Sequence, residues 1–236
     1  MKPAHVVVLI AAAAAVLLLV AGPGYRLELW EFATGFKLMR WGAWLGIAAA
    51  CLALLALLVP RLRKGHEAGL AIALLVGVAA AVVPLQLLRT ARAVPPIHDI
   101  TTDTTDPPAF EAVLPLRADA PNPADYAGEE IAEQQRQAYP EVQPLVLDEP
   151  PDRAFERALA AARDMGWEIV VAEPARGRIE ATATTLWFGF KDDVVVRIRP
   201  EAGGSRIDVR SVSRVGRSDV GANAARIRAY LDRLQG

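Results

Sequence analysis

Three unbroken apolar stretches open the chain, at about residues 5–22, 41–59 and 68–88. Each has the length a helix needs to cross a bilayer, for which about 20 residues suffice. The opening Lys2-Pro-Ala-His could begin a signal peptide, but two more apolar runs follow, and an uncleaved first span is the simpler reading. Small residues recur every four positions: Gly42, Gly46 and Ala50 in the second span, and Gly69, Ala73, Gly77 and Ala81 in the third. Such stripes let helices approach closely in lipid and predict a compact three-helix bundle. No Asp, Glu, Lys or Arg lies at mid-depth, which argues against an ion pathway or a proton relay. Residues 23–40 mix Leu27, Leu29, Trp30, Phe32 and Phe36 with Arg26, Glu28, Glu31 and Lys37. That mixture fits a loop lying in the membrane interface, with Trp30, Trp41 and Trp44 at headgroup level.

The pattern changes after residue 93. From 94 to 150 the chain carries ten prolines, which forbid long regular elements and predict an extended strap, broken by one short helix at about 127–138. Leu114, Leu116, Tyr126, Tyr139, Leu145 and Leu147 are its expected anchors. From 151 onward periodicity returns. Phe155, Ala158, Leu159, Ala162 and Met165 recur at helical spacing, and Gly166 supplies a stop. Four β-prone runs follow, at 167–172, 178–187, 193–199 and 205–213. In the last three, one apolar set alternates with Arg178, Glu180, Arg197, Arg199, Arg206, Asp208 and Arg210. Period-two alternation predicts an antiparallel sheet with one packed face and one wet face. Gly203-Gly204 reads as a hairpin turn, and Val220, Ala224, Ile227, Leu231 and Leu234 form the stripe of a final helix. The predicted fold is therefore a membrane-anchored α+β protein. Its anchor is residues 1–93, its strap 94–150, and its domain 151–236, a four-stranded antiparallel sheet covered on one face by two helices.

Charge sharpens this division. Residues 1–96 hold nine basic and three acidic side chains, residues 97–150 two against twelve, and residues 151–236 fifteen against twelve. The near-neutral total of −1 thus hides a basic anchor, an acidic strap and a mildly basic domain. The strap is expected to lie against the domain. The domain's modest basic excess argues against nucleic-acid binding. The basic residues flanking the spans divide four against five and do not orient the chain by the positive-inside rule. The tight Arg61-Leu-Arg-Lys64 cluster points to the cytoplasm and places the domain on the far side.

The chain is poor in catalytic side chains. Cys51 is alone in an apolar run, and of three histidines only His98 lies outside the anchor region. No His/Cys spacing resembles a zinc site, no glycine-rich phosphate loop follows a strand, and no cofactor is implied. Three constellations remain. The charged sheet face could be cross-strand pairing, or an arginine-rich surface for an anionic ligand. The hairpin tip Trp187-Phe-Gly-Phe-Lys-Asp-Asp193 could be edge packing, or its Trp187, Phe188 and Phe190 could meet a membrane interface or a partner. Arg214, Gly216, Arg217 and Ser218 stand before the last helix, whose N-terminus favours anions, although Ser218 or Asp219 could equally be an ordinary cap. The adjacent Asp192 and Asp193 would face opposite sides of a strand, which disfavours a joint acid–base role.

The run Gly177-Arg-Ile-Glu-Ala-Thr-Ala-Thr-Thr-Leu-Trp187-Phe-Gly-Phe-Lys-Asp-Asp193-Val-Val-Val-Arg-Ile-Arg199 is followed by Ser211-Val-Ser-Arg-Val-Gly-Arg-Ser-Asp-Val-Gly-Ala-Asn223. Together with Met165-Gly-Trp167 and Gln135-Arg-Gln-Ala-Tyr-Pro140, it resembles the domain of unknown function 1499 family over about residues 97–236. The resemblance implies a membrane-anchored or exported protein with no assigned reaction. The expectation is a multi-pass protein, in the inner membrane with a periplasmic domain, that binds an anionic lipid, envelope component or envelope protein without catalysis. The alternative is a hydrolase of an anionic envelope substrate, with Arg214 and Arg217 binding and Asp192 or Asp193 as base.

Overall fold

The computed structural model describes residues 2–236. Met1, where the signal-peptide reading would begin, lies outside the described residues. The chain divides into two compact units, one formed by residues up to Thr90 together with Leu186–Gly189, the other by Ala91–Thr185 and Phe190–Gly236.

The first unit is helical: α1 (Pro3–Arg26), α2 (Phe32–Leu58), the short α3 (Pro60–Arg63) and α4 (Glu67–Ala93). The three long helices are each apolar and long enough to cross a membrane. Proline at the first turn of α1 suits a position whose N–H has no helical partner. The expected interfacial loop of residues 23–40 is shorter than predicted, because α2 begins at Phe32. The reason is continuity of its small-residue face, which starts at Gly35 and runs through Met39, Gly42, Gly46, Ala49, Ala53 and Ala56, all buried. Where α2 meets α4 the backbones touch. A Cβ added to Gly46 would lie 2.7 Å from the Gly77 carbonyl oxygen, and one added to Gly77 would lie 2.6 Å from that of Gly46. Leu9, Leu19, Leu55 and Leu75 point outward and are more than half exposed.

The second unit is built on one antiparallel sheet. Its strands are β1 (Asp99–Thr101), β2 (Leu145–Leu147), β3 (Glu168–Glu173), β4 (Arg178–Thr184), β5 (Lys191–Glu201) and β6 (Gly204–Ser213). The order is β1-β6-β5-β4-β3, with β2 also paired to β6. The predicted meander is β3 to β6, but the sheet has six strands rather than four. The two extra strands come from the strap, where three-residue segments between prolines are too short to show alternation. They lie along the outer edge of β6, β1 placing Ile100 opposite Ser211 and β2 placing Val146 opposite Arg206. An open edge is thereby covered. Glu201 and Gly204 pair, so the β5–β6 turn is formed by Ala202 and Gly203, one residue earlier than predicted.

Helices α5 (Glu129–Ala138), α6 (Pro151–Asp164) and α7 (Ala222–Gln235) complete the unit. Helices α6 and α7 bury Phe155, Ala158, Ile227, Leu231 and Leu234 against Ile179, Ala181, Val194, Val196, Ile198, Ile207 and Val209. Trp167 stacks on Tyr230 at 4.8 Å between ring centres, and the Tyr230 hydroxyl donates to the Ala158 carbonyl at 2.8 Å. Alternation along β4–β6 places every second residue in this apolar layer and sends the charged set to the opposite face.

Candidate functional site

That opposite face is not wet. Residues 102–126 of the strap lie over it, and Phe110 and Val113 form an apolar patch with Val195 and Val212. The charged side chains around this patch are enclosed and paired. Asp193 on β5 has 0% exposure. One of its oxygens accepts from Arg117 Nη1 at 3.2 Å and Arg214 Nε at 2.9 Å, the other from Arg214 Nη2 and the Thr182 hydroxyl, both at 2.8 Å. Four accepted bonds match the lone-pair sites of a carboxylate. The two arginines also hold the strap: Arg117 Nη2 donates to the Asn122 carbonyl at 3.0 Å, and Arg214 Nη1 to that of Leu116 at 2.7 Å. Burial lowers the pKa of Arg117, and the Asp193 charge opposes that shift.

Three further carboxylates organise the face in the same way. Asp208 on β6 is fully buried and pairs with Arg197, Arg199 and Arg206. Glu180 on β4 accepts from the strap N–H groups of Glu111 and Val113, each at 2.9 Å, and from Arg178 Nε at 2.7 Å. Asp99 on β1 takes a bidentate pair from Arg210, at 2.9 and 2.7 Å. The Arg210 guanidinium also lies over the rings of Phe110 and Tyr126, at 5.0 and 5.3 Å from their centres. Burial pushes the Tyr126 phenol up to about 12. The expectation of a wet sheet face is therefore corrected. The strap's acids and carbonyls complete an ion-paired layer that the strands alone would leave open.

Asp192 and Asp193 occupy opposite faces. Asp192 is on the helix side, 3% exposed, and pairs with Arg226 of α7. Beside it Ser211, Asn223 and Ser213 form a buried chain in which the Ser211 hydroxyl donates to Asn223 Oδ1 at 2.7 Å and Asn223 Nδ2 donates to the Ser213 hydroxyl at 3.0 Å. The two carboxylates serve different sides of the sheet and do not meet.

The candidate anion residues before α7 do not converge. Arg214 is committed to Asp193 in the polar layer. The Gly216 carbonyl accepts from Asn122 Nδ2 at 2.9 Å, and its φ of +94° fits glycine at this bend. The Ser218 hydroxyl accepts from the Val220 N–H at 3.2 Å. Asp219 takes the helix start: its oxygens accept from the N–H groups of Gly221 and Asn223, both at 2.8 Å. Burial raises the pKa of Asp219, while those two N–H bonds lower it. Arg217 is exposed, and its carbonyl lies 3.4 Å from His98 Nδ1.

The aromatic candidates separate as well. Trp187 and Phe188 belong to the helical unit, and Phe190 to the sheet unit. The Phe190 N–H donates to the Thr185 hydroxyl at 2.8 Å, closing the base of the tip. Trp187 lies on Gly22 of α1, and Phe188, 6% exposed, lies on Gly35 of α2.

Several organising residues lacked a signal in the periodicity. Arg117 and Arg136 are the only basic residues in the acidic stretch 97–150, and that isolation was the available clue to Arg117. Gln135, buried on α5, accepts from the Thr101 N–H at 2.9 Å and donates to the Thr101 carbonyl at 2.6 Å, acting as an extra strand rung beside β1.

The family described as Protein of unknown function (DUF1499) matches residues 99–234. The match begins at the first residue of β1, so it takes in the strap together with the sheet it covers. No curated protein matches the chain.

Proposed function

The chain belongs to the DUF1499 family, and we propose that it is a membrane-anchored, non-enzymatic binding or scaffolding module of a cell envelope. In this reading the N-terminus is cytoplasmic, the three helices cross the inner membrane, and residues 94–236 face the periplasm, where the domain binds an anionic lipid, an envelope component or an envelope protein. One observation carries it: Asp192 and Asp193, the two carboxylates weighed as a base, are each held by the chain's own cations. Asp193 accepts from Arg117, Arg214 and Thr182, and Asp192 is paired with Arg226. A general base needs a lone pair within hydrogen-bond reach of the proton it removes. Saturated carboxylates instead describe a rigid platform whose working surface is its exterior.

Purification of the full chain from its native membrane, with bound lipids and proteins identified by mass spectrometry, tests this reading. A reproducible lipid or protein companion is expected. Hydrolase activity that disappears in Asp192→Asn, with the thermal midpoint unchanged, would replace the proposal with an enzyme. Reporters fused at Gly236, one active only after export and one only in the cytoplasm, test orientation. Signal from the cytoplasmic reporter alone would reverse it.

A further inference from the structure

We propose that the β4–β5 tip, Leu186–Gly189, is a membrane-inserted element whose Leu186 side chain lies in the boundary between lipid headgroups and acyl chains. The tip groups with the helices rather than with the strands that carry it. Two glycines make its seat. A Cβ on Gly22 would lie 2.7 Å from Trp187 Cδ1, and one on Gly35 would lie 2.8 Å from Phe188 Cε1. The Phe188 ring packs on Phe36 at 5.3 Å and on Tyr25 at 6.3 Å, while Arg26 Nη1 donates to the Leu186 carbonyl at 3.0 Å.

Helix geometry sets the depth. Gly22 is four residues from the end of α1 and Gly35 three residues from the start of α2, so the seat lies about 4–6 Å inside the helix ends. With 24 and 27 residues, these helices are about 36 and 40 Å long, against a hydrocarbon core of about 30 Å. The excess length falls among the headgroups: the apolar run of α1 ends at Gly22 and that of α2 begins at Trp41, after Lys37 and Arg40, so the tip seated on Gly22 and Gly35 lies at that level. Leu186 is 90% exposed, and Leu27 and Leu29, just beyond Arg26, are exposed too. Exposed leucines around an arginine at the end of a span are the composition of an interfacial segment. Phe36, on which Phe188 packs, and Trp41 and Trp44 farther along α2 are exposed as well. Exposed aromatic and leucine side chains near the ends of helices read as spans select lipid as the occupant over a second protein.

The proposal rests on reading the long helices as spans, and the test separates the two. The full chain is reconstituted in vesicles of phosphatidylethanolamine and phosphatidylglycerol and labelled at one cysteine with an environment-sensitive fluorophore. The natural Cys51 on α2 reports the acyl region, while Leu186→Cys and Arg217→Cys, each with Cys51→Ala, report the tip and an exposed site of the sheet unit. Lipids brominated near the glycerol end of the acyl chains should quench the Leu186→Cys label, and aqueous iodide should reach it several-fold less than the Arg217→Cys label. If Cys51 is shielded from iodide but Leu186→Cys is as accessible as Arg217→Cys, the tip is not in lipid although the spans are. If Cys51 itself is open to iodide, the spanning reading fails and the proposal fails with it. Shielding of Leu186→Cys from both quenchers would assign the tip to a protein contact and overturn the lipid assignment.

Discussion

In the helical unit most buried helix positions are alanine or glycine, joined by Val7, Leu18, Met39 and Leu70, while many leucines, valines and tryptophans point outward. In the sheet unit, aliphatic residues fill one side of the sheet, while the other carries paired arginine and carboxylate, of which Glu180, Asp193, Asp208 and Arg210 are buried and Arg197, Arg199 and Arg206 are partly exposed. The first distribution suits a solvent that offers large apolar side chains no penalty, so packing is governed by how closely backbones can approach. The second places charge in a dry layer, which is tolerable only when every charge has partners. One unit depends on the absence of side-chain bulk, the other on the presence of complementary charge. They should therefore fail differently.

The largest expected effect comes from removing the strap. A chain that begins at Pro150 loses β1, β2 and Arg117, and leaves Asp193, Asp208 and Glu180 without their cover. It should not show a cooperative thermal transition, whereas a chain that begins at Pro95 should. Equal thermal midpoints would show that the strap is dispensable to the sheet unit.

Next is the centre of the polar layer. Asp193→Ala leaves Arg117 and Arg214 enclosed without their counter-ion, and removing one partner of a buried pair costs about 3–5 kcal/mol. Arg117→Met and Arg214→Met added to that change should restore part of the loss, because the penalty belongs to stranded charge. Chemical denaturation in detergent, followed by tryptophan emission, measures both. A loss below about 1 kcal/mol for Asp193→Ala would place the pair among weak surface ion pairs.

The bundle should respond to volume and ignore charge. Gly46→Leu introduces bulk where the Gly77 backbone already touches, and overpacking of a tight site costs about 1–3 kcal/mol. Gly65→Leu meets nothing within 4 Å, although its positive φ of +75° adds backbone strain of its own. Gly69→Ala is the cleaner control, its Cβ meeting only Val8 at 3.6 Å. Cross-linking yield between cysteines placed on α2 and α4 reads the separation, and an unchanged yield in Gly46→Leu would remove the close-approach argument.

The smallest effect concerns the start of α7. Burial holds the folded-state pKa of Asp219 above its ordinary 3.8, so the folded chain binds that proton more tightly than the unfolded chain. The resulting stability is fully present below 3.8 and is lost as pH rises through the raised value. Asp219→Asn keeps a capping oxygen and should flatten that pH dependence, whereas Asp219→Ala should cost about 1 kcal/mol through loss of the cap. Thermal midpoints measured against pH decide it. Ser218→Ala being the more damaging change would move the cap to Ser218.

Most of the regular elements were legible in the sequence because each carries its own period. The spans follow from uninterrupted apolar runs, α6 and α7 from helical stripes, and β4–β6 from strict alternation. Alternation alone also put Asp192 and Asp193 on opposite faces. What was not legible lies where no period exists. β1 and β2 are three residues long, and α2 starts nine residues before its apolar run because Gly35 and Met39 continue a buried stripe through polar neighbours. Arg214 looked available to an anion because its partner Asp193 is 21 positions away and its second ally, Arg117, sits in a segment read as acidic.

The sequence by itself determined the apolar and charged faces, since side-chain direction along a strand or helix is local geometry. It also marked the breaks in proline content and charge near residues 93 and 150, but the strap and the strands it covers form one compact unit. Only the tertiary structure decided what lies on the charged face. Alternation tells which residues leave the apolar layer, but whether they meet water or another segment depends on a chain more than 50 residues away. The same holds for the aromatic tip, whose residues read alike as edge packing or as a binding element until Gly22 and Gly35 are seen to leave the space that Trp187 and Phe188 occupy.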